Sequence, residues 1–113
     1  MKYLLLAALA LSAPIVVAST GLVYPHDAPP SRMQPLGWSY GWDCCSATDC
    51  SQMQQGEIEE GPNGYVVKRT GEVIPYNDKR IRQSKDEFFH RCAPGANFDA
   101  PKSLCLYTPG RGY

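Results

Sequence analysis

The residues of this chain best equipped for chemistry are five cysteines, Cys44, Cys45, Cys50, Cys92 and Cys105, with His90 two positions before Cys92. Thiols in that number can form disulfides, ligate a soft metal or act as nucleophiles. A zinc or copper(I) site would draw four ligands from Cys44, Cys45, Cys50, His90, Cys92 and Cys105. The spacings C-C-x4-C and H-x-C match no paired C-x2-C knuckle, so metal binding is the alternative and not the first reading. A cysteine nucleophile would need His90 as base and an orienting carboxylate such as Asp49. Thiol–disulfide exchange would call for C-x-x-C, which the chain lacks, as it lacks G-x-S-x-G, H-E-x-x-H, a Walker loop and G-x-G-x-x-G. No catalytic residues and no cofactor are expected.

What decides among these fates is the compartment. Met1-Lys2 supplies a positive charge, Tyr3 to Ala13 is an uncharged apolar run, Pro14 breaks it, and Val16-Val17-Ala18 offers small residues at a peptidase site. Residues 1–18 therefore read as a signal peptide cleaved after Ala18. The sixteen residues from Tyr3 to Ala18 fall short of the about 20 that a spanning helix needs, so no stable membrane span is expected after cleavage. An exported chain, periplasmic or extracellular, meets oxidising conditions, and its thiols pair by default. Five is odd, so one cysteine is left over and becomes a candidate for a disulfide-linked homodimer. Adjacent Cys44 and Cys45 are poor partners for each other because a trans peptide holds their side chains apart. Closing the loop from Cys45 to Cys92 removes roughly 4 kcal/mol of unfolded-chain entropy, against roughly 2 for Cys45 to Cys50. The 44/45/50 cluster is thus expected to be tied to Cys92 and Cys105, with the individual partners left open.

Removing 18 of the 113 residues leaves 95, enough for one small domain. Such a chain buries only about 60–65% of its unfolded surface, so covalent staples matter. Ten Lys and Arg remain against eleven Asp and Glu, which gives no footprint for nucleic acid or an anionic membrane. Nineteen Gly and Pro in those 95 residues point to short strands and many turns.

Three regions follow in order. Residues 19–36 hold Pro25, Pro29, Pro30 and Pro35 and read as an extended or disordered lead outside the core, its His26-Asp27 pair unremarkable. Trp38, Tyr40 and Trp42 then alternate, which would put all three on one side of an extended segment. They either pack around the disulfides, the favoured reading, or form an exposed stacking platform for a ligand such as a sugar ring. Together with His90 they are the candidate binding residues.

Residues 37–113 read as a cysteine-bridged, mainly β domain, a disulfide-stapled meander with at most one short helix. Gly61-Pro62-Asn63-Gly64 is a turn, Tyr65 to Lys68 a strand, Thr70-Gly71 a turn and Glu72 to Ile74 a strand. Lys79, Arg80, Arg82 and Lys85, flanked by Asp78, Asp86 and Glu87, read as a solvated, neutralised run. Ser84-Lys85-Asp86-Glu87 fits either a helical capping box or a turn into a strand from Phe88 to Cys92, with the strand preferred. As a strand it would set His90 beside a disulfide, bonded to a carbonyl or to Asp49. Ser103 to Tyr107 is a clearer strand, with Leu104 and Leu106 on one face, Cys105 and Tyr107 on the other.

Gly37-Trp38-Ser39-Tyr40, Cys44-Cys45-Ser46, Asp49-Cys50, Gly71-Glu72-Val73-Ile74-Pro75, His90-Arg91-Cys92 and Cys105-Leu106-Tyr107-x-Pro109 together resemble a group of small exported bacterial proteins of unassigned function. The likeness spans most of residues 37–109. It implies one secreted, cysteine-bridged domain and supplies no activity. The expectation is an exported, non-catalytic binding or structural protein of the cell envelope, acting on an unidentified protein or envelope ligand.

Overall fold

The structure, a computed structural model, describes residues 27–44 and 49–110, with position 12 in isolation. Apart from position 12, the segment read as a signal peptide lies outside the described residues, as do His26, Cys45 and residues 111–113. The domain is mainly β and stapled by two disulfides. Its strands are β1 (Asp27–Ala28), β2 (Trp38–Ser39), β3 (Cys50–Gln52), β4 (Ile58–Gly61), β5 (Gly64–Val67), β6 (Glu72–Ile74), β7 (Ile81–Ser84), β8 (His90–Cys92) and β9 (Cys105–Pro109). A 3-10 turn at Pro94–Ala96 is the one helical element among the described residues.

The expected meander is the antiparallel sheet β4-β5-β6. Pro62-Asn63 closes its first hairpin, with Gly61 opposite Gly64. Gly64 has φ +151°, and a Cβ there would lie 2.2 Å from the Ile74 carbonyl oxygen, so the close approach of β6 requires glycine. Alternation sends Ile58, Tyr65, Val67 and Ile74 inward, while Val73 on the other face is exposed.

The second sheet runs β3-β8-β9-β7, antiparallel except for the parallel pair β7 and β9. In its register Cys50 faces Cys92 and Cys92 faces Cys105, so three cysteines form a row across three strands. Cys50 bonds Cys92, and Cys105 bonds Cys44 in the loop before β3. The 44/45/50 cluster is tied to Cys92 and Cys105 as expected. The bridges close separations of 61 and 42 residues, each worth roughly 4 kcal/mol of unfolded-chain entropy taken alone.

This sheet separates two apolar clusters, because β9 alternates. Leu106 joins Ile58, Tyr65, Val67 and Ile74, with Met53, Ile81 and Phe89 packed at their edge. Cys105 and Tyr107 face the other way, among Cys44, Cys50, Cys92, Trp38, Tyr40 and Ala28. The two faces of this strand are those its alternation predicts, although Leu104 precedes β9 and is exposed.

The Pro-rich lead requires correction. Ala28 is buried in the disulfide-side cluster, and β1 pairs with β2, Asp27 opposite Ser39 and Ala28 opposite Trp38. A short ribbon of lead and aromatic segment covers that face of the sheet, so residues 27–36 belong to the folded domain. Gly37, at φ +73°, permits it: a Cβ there would sit 2.4 Å from the Ala28 carbonyl oxygen.

Charged side chains organise the long connection into β9. Arg91 is buried and donates to Ser103 Oγ at 2.7 Å, to the Phe98 carbonyl at 2.6 Å and to the Ala100 carbonyl at 2.8 Å. Glu72 accepts from the Ser103 N–H and hydroxyl, and Arg80 bonds Glu72 and Asp78. The Arg80 guanidinium holds the Asp78 carboxyl down to about 2.

Proteolytic mapping of unreduced protein tests the pairing across the vicinal Cys44-Cys45. One peptide pair should join Cys44 to Cys105 and another Cys50 to Cys92; a bond from Cys45 to either Cys92 or Cys105 would contradict the structure.

Candidate functional site

The polar centre of the domain is built on the bend between β7 and β8. Ser84 Oγ donates to Asp86 Oδ1 at 2.9 Å and accepts from the Asp86 N–H at 3.2 Å, and Asp86 Oδ1 accepts the Phe88 N–H at 2.8 Å. These are i to i+2 bonds, the competing use that Ser and Asp make of nearby backbone. A capping box would instead join Ser84 to Glu87, and the helix alternative for residues 84–92 is not formed. The preferred strand is present from His90 to Cys92, with residues 85–88 as a bend before it.

Asp86 therefore points into the domain, where it is 1% exposed. Its Oδ2 accepts the Trp38 indole N–H at 2.8 Å, and its Oδ1 accepts His90 Nε2–H at 2.7 Å. His90 is fully buried, and its Nδ1 lies 2.8 Å from the Tyr40 hydroxyl. Burial works to raise the Asp86 pKa, but the bonds from His90, Trp38 and the Phe88 N–H outweigh it and hold the carboxyl below its ordinary value. Burial also lowers the His90 pKa, and Asp86 only partly opposes it. An ionised Asp86 only accepts, so the neutral imidazole carries its proton on Nε2 and its Nδ1 accepts from the Tyr40 O–H.

Rings close around this chain of bonds. Trp38 meets Tyr40, His90 and Tyr107 edge-on at centroid distances of 5.0, 5.0 and 5.2 Å. Lys85 Nζ lies 6.0 Å above the indole. Carboxylate, imidazole and hydroxyl follow one another as they do in a hydrolytic triad. Here the imidazole and carboxylate have no surface on which to receive a substrate, and what the arrangement does is fix Trp38 and Tyr40 to the sheet.

The sequence-derived candidates thus divide. Trp38 and Tyr40 are core, packed beside the disulfides, and cannot form a platform with Trp42. The strand alternation stops because the chain turns at residues 41–44, where the Cys44 N–H donates to the Gly41 carbonyl at 3.1 Å. Trp42 stands on that turn, 85% exposed. The turn itself is held firmly. Its Gly41 N–H donates to the Tyr107 hydroxyl at 2.9 Å, Cys44 is bridged to Cys105, and Asp43 accepts from Arg82 Nη2 at 2.7 Å.

His90 bonds Asp86, where a carbonyl or Asp49 was expected; the Asp49 carbonyl accepts the Ala93 N–H. The metal alternative loses its ligands, since Cys44, Cys50, Cys92 and Cys105 are bridged and both His90 nitrogens have partners. Among the described residues no group of three or more Cys, His, Asp or Glu is placed to hold a metal. The odd cysteine that would allow a disulfide-linked homodimer is Cys45, outside the described residues. Asp86 and Arg91 are the residues that sequence reasoning missed. The Ser84-x-Asp86 and Asp86-x3-His90 spacings are the available signals for the first, and nothing local signals the burial of Arg91.

No known protein family, curated protein or solved structure matches the chain.

Asp86→Asn replaces one accepting oxygen with a donor in a site made of donors. It should lower the unfolding free energy by about 3 kcal/mol in urea at pH 7, and a change under about 1 kcal/mol would show that the carboxylate is not needed. The wild type should also weaken in acid. Both His90 and Asp86 are held below their ordinary values, so their contribution is full above about pH 6.5 and is lost as pH falls, first through His90 and then through Asp86.

Proposed function

We propose that this chain is a small exported, disulfide-stabilised protein of the bacterial cell envelope, periplasmic or extracellular, that works by binding or by structural presence without catalysis, and that Trp42 is its contact point. The observation that carries this reading is the exposure of a whole indole on a turn fixed at Gly41, Asp43 and Cys44. A large aromatic held rigidly at a surface loses little entropy when it is covered, and tryptophan is among the residues that dominate binding energies. The burial of His90 and Asp86 supports the non-catalytic part, because this triad-like set of groups is closed to substrate.

Export is supported by the N-terminal apolar segment and by two long-range disulfides, which suit an oxidising compartment. No helix among the described residues is long and apolar enough to cross a membrane.

Cosedimentation with isolated cell-envelope fragments tests the contact. Wild-type protein should pellet with the fragments, and Trp42→Ala should reduce the bound fraction at least tenfold while its thermal unfolding stays within a degree or two of wild type, as expected for an exposed side chain. Equal pelleting of the two proteins, or none by the wild type, would overturn the assignment.

A further inference from the structure

We propose that residues 27–42 form an acid-released strap, which lifts from the four-stranded sheet as a unit while the two bridges and the β4-β5-β6 sheet stay intact. Trp38 donates to Asp86, Tyr40 bonds His90, the N–H groups of Arg32 and Met33 donate to Glu87 Oε1 and Oε2 at 3.2 and 3.3 Å, and Gln34 Nε2 donates to the Lys85 carbonyl at 3.0 Å. These fastenings fall on six consecutive residues, 85–90, and the Tyr107 hydroxyl receives the Gly41 N–H at the far end. Within the strap, Ser39 bonds Asp27, and the N–H groups of Ser31 and Gly37 donate to the Gln34 carbonyl.

Three of the receiving groups titrate, and each meets a donor from the strap. A proton on Asp86 or Glu87 turns an acceptor toward an N–H. A proton on His90 Nδ1 points at the Tyr40 hydroxyl and forces it to reverse. Protonation therefore works against the fastenings to Asp86, Glu87 and His90 and leaves those to the Lys85 carbonyl and the Tyr107 hydroxyl unaffected.

The groups around His90 do not cancel this effect. The bend contributes Asp86, Glu87 and Lys85, the strap Tyr40, β9 its register partner Tyr107, and β3 the uncharged Gln52. Arg91, next on β8, turns to the opposite face and Ser103. Asp86, Glu87 and His90 are all held below their ordinary pKa values. For Glu87 burial acts the other way, but the N–H groups of Glu87, Met33 and Arg32 and the Ser31 hydroxyl outweigh it. Release therefore takes up protons, and each proton multiplies the opening constant by up to tenfold per pH unit. Cys44, bridged to Cys105 just beyond the strap, keeps the opened segment tethered and the event reversible.

Hydrogen exchange of the intact protein, corrected for intrinsic rate, reads the opening directly. Between pH 7 and pH 5 the opening constant at residues 38–40 should rise at least tenfold, with residues 65–67 unchanged. Glu87→Gln, which removes one titrating group at the strap's edge, should leave the rise between pH 7 and pH 5 in place, since that belongs to His90, should reduce the further rise below about pH 4.5, and should leave residues 65–67 protected. Strap protection that is constant from pH 7 to pH 5, or loss of protection at 38–40 and 65–67 together, would overturn the proposal.

Discussion

A carboxylate buried without partners would cost the domain several kcal/mol, and Asp86 escapes this only because four donors reach it from three parts of the chain. Ser84 and Phe88 come from its own bend, His90 from β8 and Trp38 from the N-terminal ribbon. Satisfying that charge sets the shape of the bend, the tautomer of His90 and, through it, the hydrogen bond to Tyr40. Among the described residues no buried side-chain nitrogen or oxygen lacks a partner. A network so complete favours one arrangement, because any displacement leaves a buried donor or acceptor without its bond.

The apolar architecture is organised around the same sheet. Cys50, Cys92 and Cys105 lie in one row, so the two bridges rivet β3, β8, β9 and the loop at Cys44 on the face that the ribbon covers. On the other face Leu106 completes the cluster of the three-stranded sheet. A domain this small has little core to distribute, and division into two clusters leaves each one thin. Bridges and the Asp86 network stabilise one side; the alternating strands of the meander supply the other. Trp42 is left out of both, and its exposure is a consequence of the turn that takes the chain from the ribbon to the first bridge.

Much of the fold was legible because short-range signals carry it. The Gly61–Gly64 turn and the alternation of Tyr65, Val67 and Ile74 declare a meander without any long-range knowledge, and the faces of β9 follow from Cys105, Leu106 and Tyr107 alone. Loop entropy tied the cysteine cluster to Cys92 and Cys105 but could not say which partner each took. The two-residue strands β1 and β2 are too short to leave a period, and prolines at positions 29, 30 and 35 made a packed ribbon look like a free lead. The parallel pairing of β7 with β9 depends on a connection whose anchor, Arg91, is buried against the carbonyls of Phe98 and Ala100. Asp86 was hidden most effectively. It sits in a run of mixed charge that reads as solvated, and its distant partner, Trp38, is 48 residues away.

Asp86 joins the N-terminal ribbon to the sheet through the Trp38 indole. A double-mutant cycle with Trp38→Phe and Asp86→Asn, read by denaturant unfolding at pH 7, measures that link most directly. The coupling energy should be about 1 kcal/mol or more, since either substitution alone already breaks the bond. Additivity to within about 0.3 kcal/mol would mean that the two residues are neighbours without a shared energetic role.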